Sequence, residues 1–430
     1  VDYKKDDDEK KIFKSDSAFI ENLKENYLGF TVIKPIPETY FGRTCIKTYD
    51  STGERSFPVT RKYSVNLFGI NFEIDSLAYQ EQDSNVAACA TSALWSAFHY
   101  TGISFQHEIL SPVKITKSAT KFLLNANRHF PNEGLSPQEM AIAIRHVNLD
   151  PLFLQHVNNF TTKASIYSYL KAEIPVILGV VLCQEDEKGN YRIHGRHAIT
   201  VAGYNIEGSK NIKDDKGLSI KSFRLSKIYA HDDQIGPFSR IEFAKDKINL
   251  YDTNDELKER ESLKTTWPNN LFPGKEVRAI PEIMLIPLYH KIRIPLDVIL
   301  ENIKSFNNII VKLASLYSKD LDFLEWDIFL TKVNKFKEDI LDNEVICTSY
   351  KQEILCDKFS KYIWVARGLE DNEPIIDLLF DATDIKQGKL FIRPIEYNSV
   401  FANILKLFAS KIDIENISQE ANHYVFKWFK

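Results

Sequence analysis

Cysteine is scarce in this 430-residue chain, with five residues scattered at Cys45, Cys89, Cys183, Cys347 and Cys356. An odd, sparse set without a CxxC pair argues against a secreted disulfide framework and against a thiolate zinc knuckle; it predicts reduced thiols and a cytoplasmic protein. Glycine and proline number only 16 each, which leaves no composition for long flexible linkers. No charge of one sign dominates: 55 Lys and Arg stand against 59 Asp and Glu, a net charge of −4, so a global electrostatic footprint for nucleic acid is lacking. Long hydrophobic runs are missing too. The longest, Ile174 to Cys183, is ten residues, about half of the roughly 20 a membrane helix needs. The N-terminal end shows no secretory leader pattern of a positive segment followed by an apolar one.

What is present is ordinary globular material, 44% hydrophobic and 27% charged, long enough for two or three domains. The opening stretch VDYKKDDDEKK, within residues 1–12, reads as a tag-like or solvated charge cluster outside the fold. Residues 13–77 read as a strand-rich segment: from Gly29 to about Leu77 the text is rich in Val, Ile, Tyr and Phe with alternation at Tyr63 to Phe68, and predicts short strands. Ser84-Asn85 then offer cap oxygens to a helix over Ala87 to Tyr100, with Gly102 placed as its C′ residue. A second helix starts at Ser136-Pro137, where Glu139 completes a capping box. Strands follow at 175–183, 198–204, 223–230, 248–251 and 283–288. Beyond Arg293 the pattern is mixed: a helix at 296–316, strands at 362–366, 375–380 and 390–395, and a helix near 400–408. From Lys291 onward, 19 basic and 22 acidic residues intersperse without a single-sign field.

Three pieces carry chemistry. Cys89 lies near the N-terminal end of a predicted helix, where unpaired amides and the macrodipole favour a thiolate; the bland alternative is a small apolar filler in an Ala-rich helix. His197 opens the apolar strand His197-Ala198-Ile199-Thr200-Val201-Ala202, ended by Gly203-Tyr204. Its alternative is a hydrogen-bonded structural histidine. Asp232, in Ile228-Tyr229-Ala230-His231-Asp232-Asp233, ends a strand in a carboxylate turn, which is equally the pattern of an Asx-turn.

In this order the three pieces resemble the papain-like cysteine peptidases, most closely the group that processes double-glycine bacteriocin leaders. In that group a Gln precedes a helix-starting Cys, a His-Ala-Val/Ile stretch opens a strand before Gly-Tyr, and an Asp ends a following strand. Gln82 with Cys89, His197 to Tyr204, and His231-Asp232 are the matching text. Glu133-Gly134-Leu135-Ser136-Pro137 and Ala172 to Leu178 also look familial. The resemblance covers roughly Ala78 to Leu288. It departs where Ala90-Thr91 replace the usual Gly-Pro after Cys, where Asp233 replaces Pro, and where Gln82 stands seven positions before Cys89, so that Gln80 competes for its role.

The resemblance implies an α+β fold in which 78–290 form a papain-like core, a helical subdomain followed by an antiparallel β subdomain. Residues 13–77 then form an N-terminal strand segment, and 291–430 a mixed C-terminal region packing with it. It also implies that Cys89 attacks an acyl carbon, that His197 holds the thiolate and protonates the leaving amine, and that Asp232 fixes the imidazole, with Asp233 as the alternate. Gln82, or Gln80, would join the Cys89 amide as an oxyanion donor. The expected activity is a cysteine peptidase acting on a peptide or isopeptide bond in a protein substrate, with a regulatory protein partner taken by the C-terminal region. Acyl transfer by the same residues, and a papain-like binding protein without activity, are the rivals. No cofactor or metal is called for. His194, His197, His231, Asp232 and Asp233 are ligand types, but a His-x-x-His near a strand splays its rings apart.

Overall fold

The computed structural model describes residues 16–35, 40–81, 89–121, 134–155, 157–208, 212–213, 217–251, 256–269, 274–321, 323–384, 390–413, 417 and 419–430. Helix and strand occur in near-equal shares, 34% and 37%, so the class is mixed α and β. The chain divides into two compact units: Val1–His156, Pro175–Tyr204 and Lys227–Pro287 form the first, and Val157–Ile174, Asn205–Ser226 and Leu288–Lys430 the second.

The first unit opens with α1 (Ser17–Glu25) and the strands β1 (Gly29–Ile33), β2 (Phe41–Ile46), β3 (Arg55–Ser56), β4 (Arg61–Leu67) and β5 (Ile70–Ser76). Three helices follow, α2 (Cys89–Ser104), α3 (Pro112–Thr120) and α4 (Pro137–His146), then β6 (Leu149–Gln155). The remaining strands are β7 (Val176–Glu185), β8 (Tyr191–Ile206), β9 (Leu225–Asp232), β10 (Gly236–Phe243), β11 (Ile248–Tyr251), β12 (Leu257–Arg260), β13 (Leu263–Lys264) and β14 (Val277–Tyr289). In the large sheet the order β8-β7-β14-β13-β10-β9 is closed by a β8–β9 pairing, with β11 and β12 continuing from β8. A strand run closed in this way leaves few free edges.

Helix α2 carries no apolar stripe because every residue from Ala90 to Gly102 is buried; it is a core helix. Leu94, Phe98, Ile115, Met140, Ile144 and Leu285 form one cluster around it. Helix α4 starts as its sequence dictates: Ser136 Oγ accepts from the Glu139 amide at 3.3 Å and Glu139 Oε2 accepts from the Ser136 amide at 2.6 Å.

Two glycines were misread. Gly102 does not end α2, which runs on to Ser104; a Cβ there would stand 2.6 Å from Ile109 Cγ1, so close approach selects glycine. Gly203 does not end its strand, because β8 continues to Ile206; a Cβ would stand 2.6 Å from Phe57 Cδ1 and 2.8 Å from the Ser56 carbonyl. The caps expected at Ser84-Asn85 lie outside the described residues.

The second unit holds α5 (Asn159–Lys171), α6 (Leu296–Leu316), β15 (Glu325–Lys332), α7 (Val333–Asp342), α8 (Thr348–Cys356), β16 (Tyr362–Glu370), β17 (Glu373–Asp381), β18 (Phe391–Glu396), α9 (Ser399–Lys411) and α10 (Glu420–Phe429). Its antiparallel sheet has the order β15-β16-β17-β18. Strands buried on both faces read as near-continuous apolar runs, as at Trp364 to Ala366 and Ile375 to Phe380, all buried.

This division differs from the sequence expectation in two places. Residues 13–77 belong with the unit that carries Cys89 and not with 291–430. The reason is backbone pairing and packing: Thr44 and Tyr79 exchange N–H···O bonds of 2.8 and 2.9 Å, and Phe57 lies 4.8 Å from the Tyr229 ring. Conversely, 157–174 and 205–226 leave the expected 78–290 core for the second unit. There Ser168 Oγ donates to the Ile328 carbonyl at 2.7 Å, Lys171 pairs with Asp327 at 3.1 Å, and Arg224 pairs with Glu325 at 2.9 Å. Sequence patterning marks elements, but such non-local pairs are invisible to it.

Candidate functional site

Cys89 is the first residue of α2, at the end where the helix dipole favours negative charge, and it is half-buried. His197 stands in β8 opposite Val180 of β7, 3% exposed. A short bond ties helix to strand: Thr200 Oγ1 donates to the Ala93 carbonyl at 2.7 Å. Its effect is to fix the register of α2 against β8, and with it the approach of Cys89 to His197.

The imidazole is held from both sides. His197 Nε2 donates to Asp232 Oδ1 at 2.9 Å, and its ring hydrogen-bonds the Cys89 thiol. Burial alone would lower the His197 value. The bonds to Asp232 and Cys89 and the charges of Asp232 and Asp233 outweigh burial and raise it to about 10, so the charged form is favoured.

Asp232 ends β9, fully buried. Its Oδ1 also accepts from the Gln234 amide at 2.9 Å, and its Oδ2 accepts from Trp267 Nε1 at 2.7 Å. The Asx-turn and the imidazole partner are therefore the same carboxylate. Burial would raise its value, but the His197 bond and charge, the Gln234 amide and the Trp267 indole together hold it below the usual carboxylate range.

Asp233 differs in every respect. Its Oδ1 lies 3.5 Å from His197 Nε2 in an ionic contact, yet among the described residues both carboxylate oxygens are buried without a hydrogen bond. Burial pushes its value up to about 6 against the pull of the His197 charge. His231 is a strut: Nε2 donates to the Leu77 carbonyl at 2.9 Å and Nδ1 accepts from the Phe238 amide at 3.1 Å. Burial lowers it to about 4, so it stays neutral and fixes β9 against the chain before α2.

Of the two glutamines, Gln82 lies outside the described residues. Gln80 lines a cavity of about 10 Å³ together with Cys89, Ser92, Ser96 and Asp233. A cleft of about 640 Å³ opens on the other side of the cysteine. Its floor is apolar, with Leu135, Met140, Ile177, Ile283 and Leu285; at its rim Arg196 and Glu282 neutralise each other through bonds of 2.9 and 3.4 Å.

His197, Asp232 and Asp233 also form, among the described residues, the one group of three whose ligand atoms lie within 4.8 Å of one another. His194 is exposed and outside it, and the ring nitrogens of His231 are committed. The other thiols divide. Burial pushes Cys45 and Cys183 up to about 12, while Cys347 and Cys356 are exposed. A hydrogen bond with Ser349 lowers the Cys347 value.

Trp267 is the residue the sequence reading missed. It stands in the polar stretch Thr265-Thr266-Trp267-Pro268-Asn269 and is nevertheless 5% exposed. A large aromatic alone in turn-forming text was the available signal, since a buried indole N–H needs an acceptor. Among the described residues no helix is long and apolar enough to cross a membrane. No protein-family model matches the chain, and no curated protein matches it.

Proposed function

We propose that this protein is a papain-like cysteine hydrolase that cleaves an amide bond in a polypeptide, with Cys89 as nucleophile, His197 as acid–base and Asp232 as the group that orients the imidazole. One observation carries the reading: the buried His197 bonds Asp232 at 2.9 Å through Nε2 and also hydrogen-bonds a thiol at a helix N-terminus. With Nε2 committed to Asp232, Nδ1 is the nitrogen left for Cys89. A nucleophile, a base within its reach and a third group orienting the base is the arrangement that activates thiols.

The chemistry follows. Cys89 gives its proton to His197, whose charged form the two carboxylates favour. The thiolate sulfur attacks the carbonyl carbon, and the oxyanion is met by the Cys89 amide and a glutamine carboxamide, Gln80 or Gln82, each donor contributing about 3 kcal/mol of transition-state stabilisation. His197 gives its proton to the leaving amine nitrogen as the C–N bond breaks, leaving a thioester on Cys89. Water then attacks the thioester while His197 takes its proton, and the thiol is restored.

Two experiments test this. In a Cys347→Ser/Cys356→Ser background, iodoacetamide should label Cys89 at pH 6, well below the free-thiol value of about 8.5, and His197→Ala should abolish that low-pH labelling. Equal labelling in the two proteins refutes the activated thiol. In cells, new protein N-termini present with the wild type and absent with Cys89→Ala would identify substrates.

A further inference from the structure

A second cavity, of about 290 Å³, is lined by Leu182, Gln184, His194, Gln234, Trp267 and Val277. Strand β7 fixes where it lies. The cleft beside Cys89 takes Ile177, Gly179 and Val180 from this strand, whereas the second cavity takes Leu182 and Gln184. His197 pairs with Val180, at the junction of the two. Alternate residues of a strand share a face, so Val180, Leu182 and Gln184 face one way. At about 3.3 Å per residue, Gln184 lies roughly 13 Å beyond Val180. Contacts link the two spaces in a chain: the Cys89 cleft is lined by His197, His197 bonds Asp232, Asp232 accepts from Trp267, and Trp267 lines the second cavity.

The chemistry of the cavity is specific. Gln184 is 4% exposed and, among the described residues, its Oε1 is buried without a hydrogen-bond partner; such an oxygen calls for a donor, which a ligand in this cavity can supply. A carboxamide offers one acceptor and two donors, the complement of a peptide unit's N–H and C=O. Gln234 adds a second carboxamide, and the indole of Trp267 supplies an apolar wall. Among the described residues no Asp, Glu, Lys or Arg lines the space, so an uncharged group fits it.

We propose that this cavity holds the polypeptide on the amine side of the bond that Cys89 attacks, with Gln184 pairing its backbone amide. The proposal rests on the cysteine acyl chemistry above and makes the leaving group a peptide chain. A small amine or thiol as leaving group would leave Gln184 unpaired. Trp267 links this site to the reaction, because the indole that walls the cavity donates to Asp232 at 2.7 Å.

The test separates the site from the chemistry. In the full chain carrying Cys347→Ser and Cys356→Ser, Cys89 is acetylated with p-nitrophenyl acetate, and the acetyl-enzyme is divided between water and added amines, ethylamine or Ala-Ala-Ala amide, at equal free-base concentration. The ratio of N-acetyl product to acetate is read only from acetylated enzyme and so is insensitive to the fraction folded. The tripeptide amide should capture the acetyl group about tenfold better than ethylamine, and Gln184→Leu should bring that preference close to one. A wild type without preference, or a preference unmoved by Gln184→Leu, overturns the proposal. Should Cys89 fail to be acetylated, the cysteine chemistry itself fails. The cavity is then decided by fluorescence titration of Cys89→Ala with Ala-Ala-Ala amide, with Trp267→Phe assigning the signal. Saturable quenching that Gln184→Leu removes supports the peptide site, and its absence up to about 10 mM overturns it.

Discussion

The bond from Trp267 Nε1 to Asp232 Oδ2 is the most direct test of the site's architecture. Asp232 is fully buried and Trp267 nearly so, and the bond is 2.7 Å long. A hydrogen bond to a charged group contributes about 1.5–3 kcal/mol, and a buried acceptor left without its donor carries the full desolvation cost. Trp267→Phe removes the donor but also trims the ring, so its total loss mixes bond and packing. A cycle with Asp232→Ala separates them, because only the coupling between the two positions reports the bond. Urea unfolding of the four proteins at pH 7, followed by far-ultraviolet circular dichroism, should give a coupling of about 1.5–3 kcal/mol. The sign of its pH dependence is fixed. The folded value of Asp232 is depressed, so its contribution is present above the unfolded value of about 3.9 and is lost as pH falls through the folded one. The coupling should accordingly shrink below about pH 4. A coupling under about 0.5 kcal/mol at pH 7, within the additivity expected of independent sites, would refute the assignment of Trp267 as the group that holds Asp232.

Three further outcomes follow from the same geometry. Asp233→Asn should stabilise the protein by about 1–3 kcal/mol at pH 8 and by about nothing at pH 4; the folded value is raised to about 6, so the penalty on the ionised form is absent below about 3.9 and complete above the folded value, as parallel urea titrations would read. His231→Phe strips partners from the Leu77 carbonyl and the Phe238 amide; it should cost about 2–4 kcal/mol of stability while leaving the pH profile of Cys89 alkylation where it was. Gly203→Ala drives a Cβ against Phe57 and the Ser56 carbonyl and should lower stability by about 1–3 kcal/mol, whereas Gly195→Ala, where an added Cβ meets nothing within 4 Å among the described residues and the backbone is not left-handed, should show no such loss.

Local chemistry was legible in the sequence and long-range pairing was not. The capping box at Ser136 and Glu139 formed as read because all of its partners lie within three residues. The strand expected at 175–183 became β7, which runs from Val176 to Glu185, and Leu296 to Leu316 became one helix with the expected ends. Both glycines that punctuate motifs were misjudged for one reason: glycine serves termination and close approach alike, and Ile109 and Phe57 could not be placed beside Gly102 and Gly203 without a fold. Trp267 escaped for a related reason. It lies 35 positions from Asp232, in text that on local grounds is merely a turn. His231 was legible as part of a motif, but its two backbone partners, 154 and 7 positions away, decide that it is a strut.

The adjacent carboxylates show what the structure adds to a motif. On sequence Asp232 and Asp233 are interchangeable candidates, and both lie within 3.5 Å of His197 Nε2. Their surroundings part them. Among the described residues Asp232 accepts three hydrogen bonds and is held ionised, whereas Asp233 accepts none and is pushed toward the neutral acid. When neighbouring acids are driven apart in this way, their environments assign the roles. Asp232 is the permanent counter-charge that favours a protonated His197. Asp233 gains its charge only near pH 6, inside the range in which His197 stays protonated, since His197 loses its proton near pH 10. Ionised Asp233 adds to the field on the imidazole, but it also faces the small cavity it shares with Cys89 and Gln80, where a second negative charge opposes a thiolate. The two effects have opposite signs at the two members of the pair. Asp233→Asn should therefore lower the pH at which His197 loses its proton and, at the same time, ease thiolate formation at Cys89. A neutral bystander would move neither.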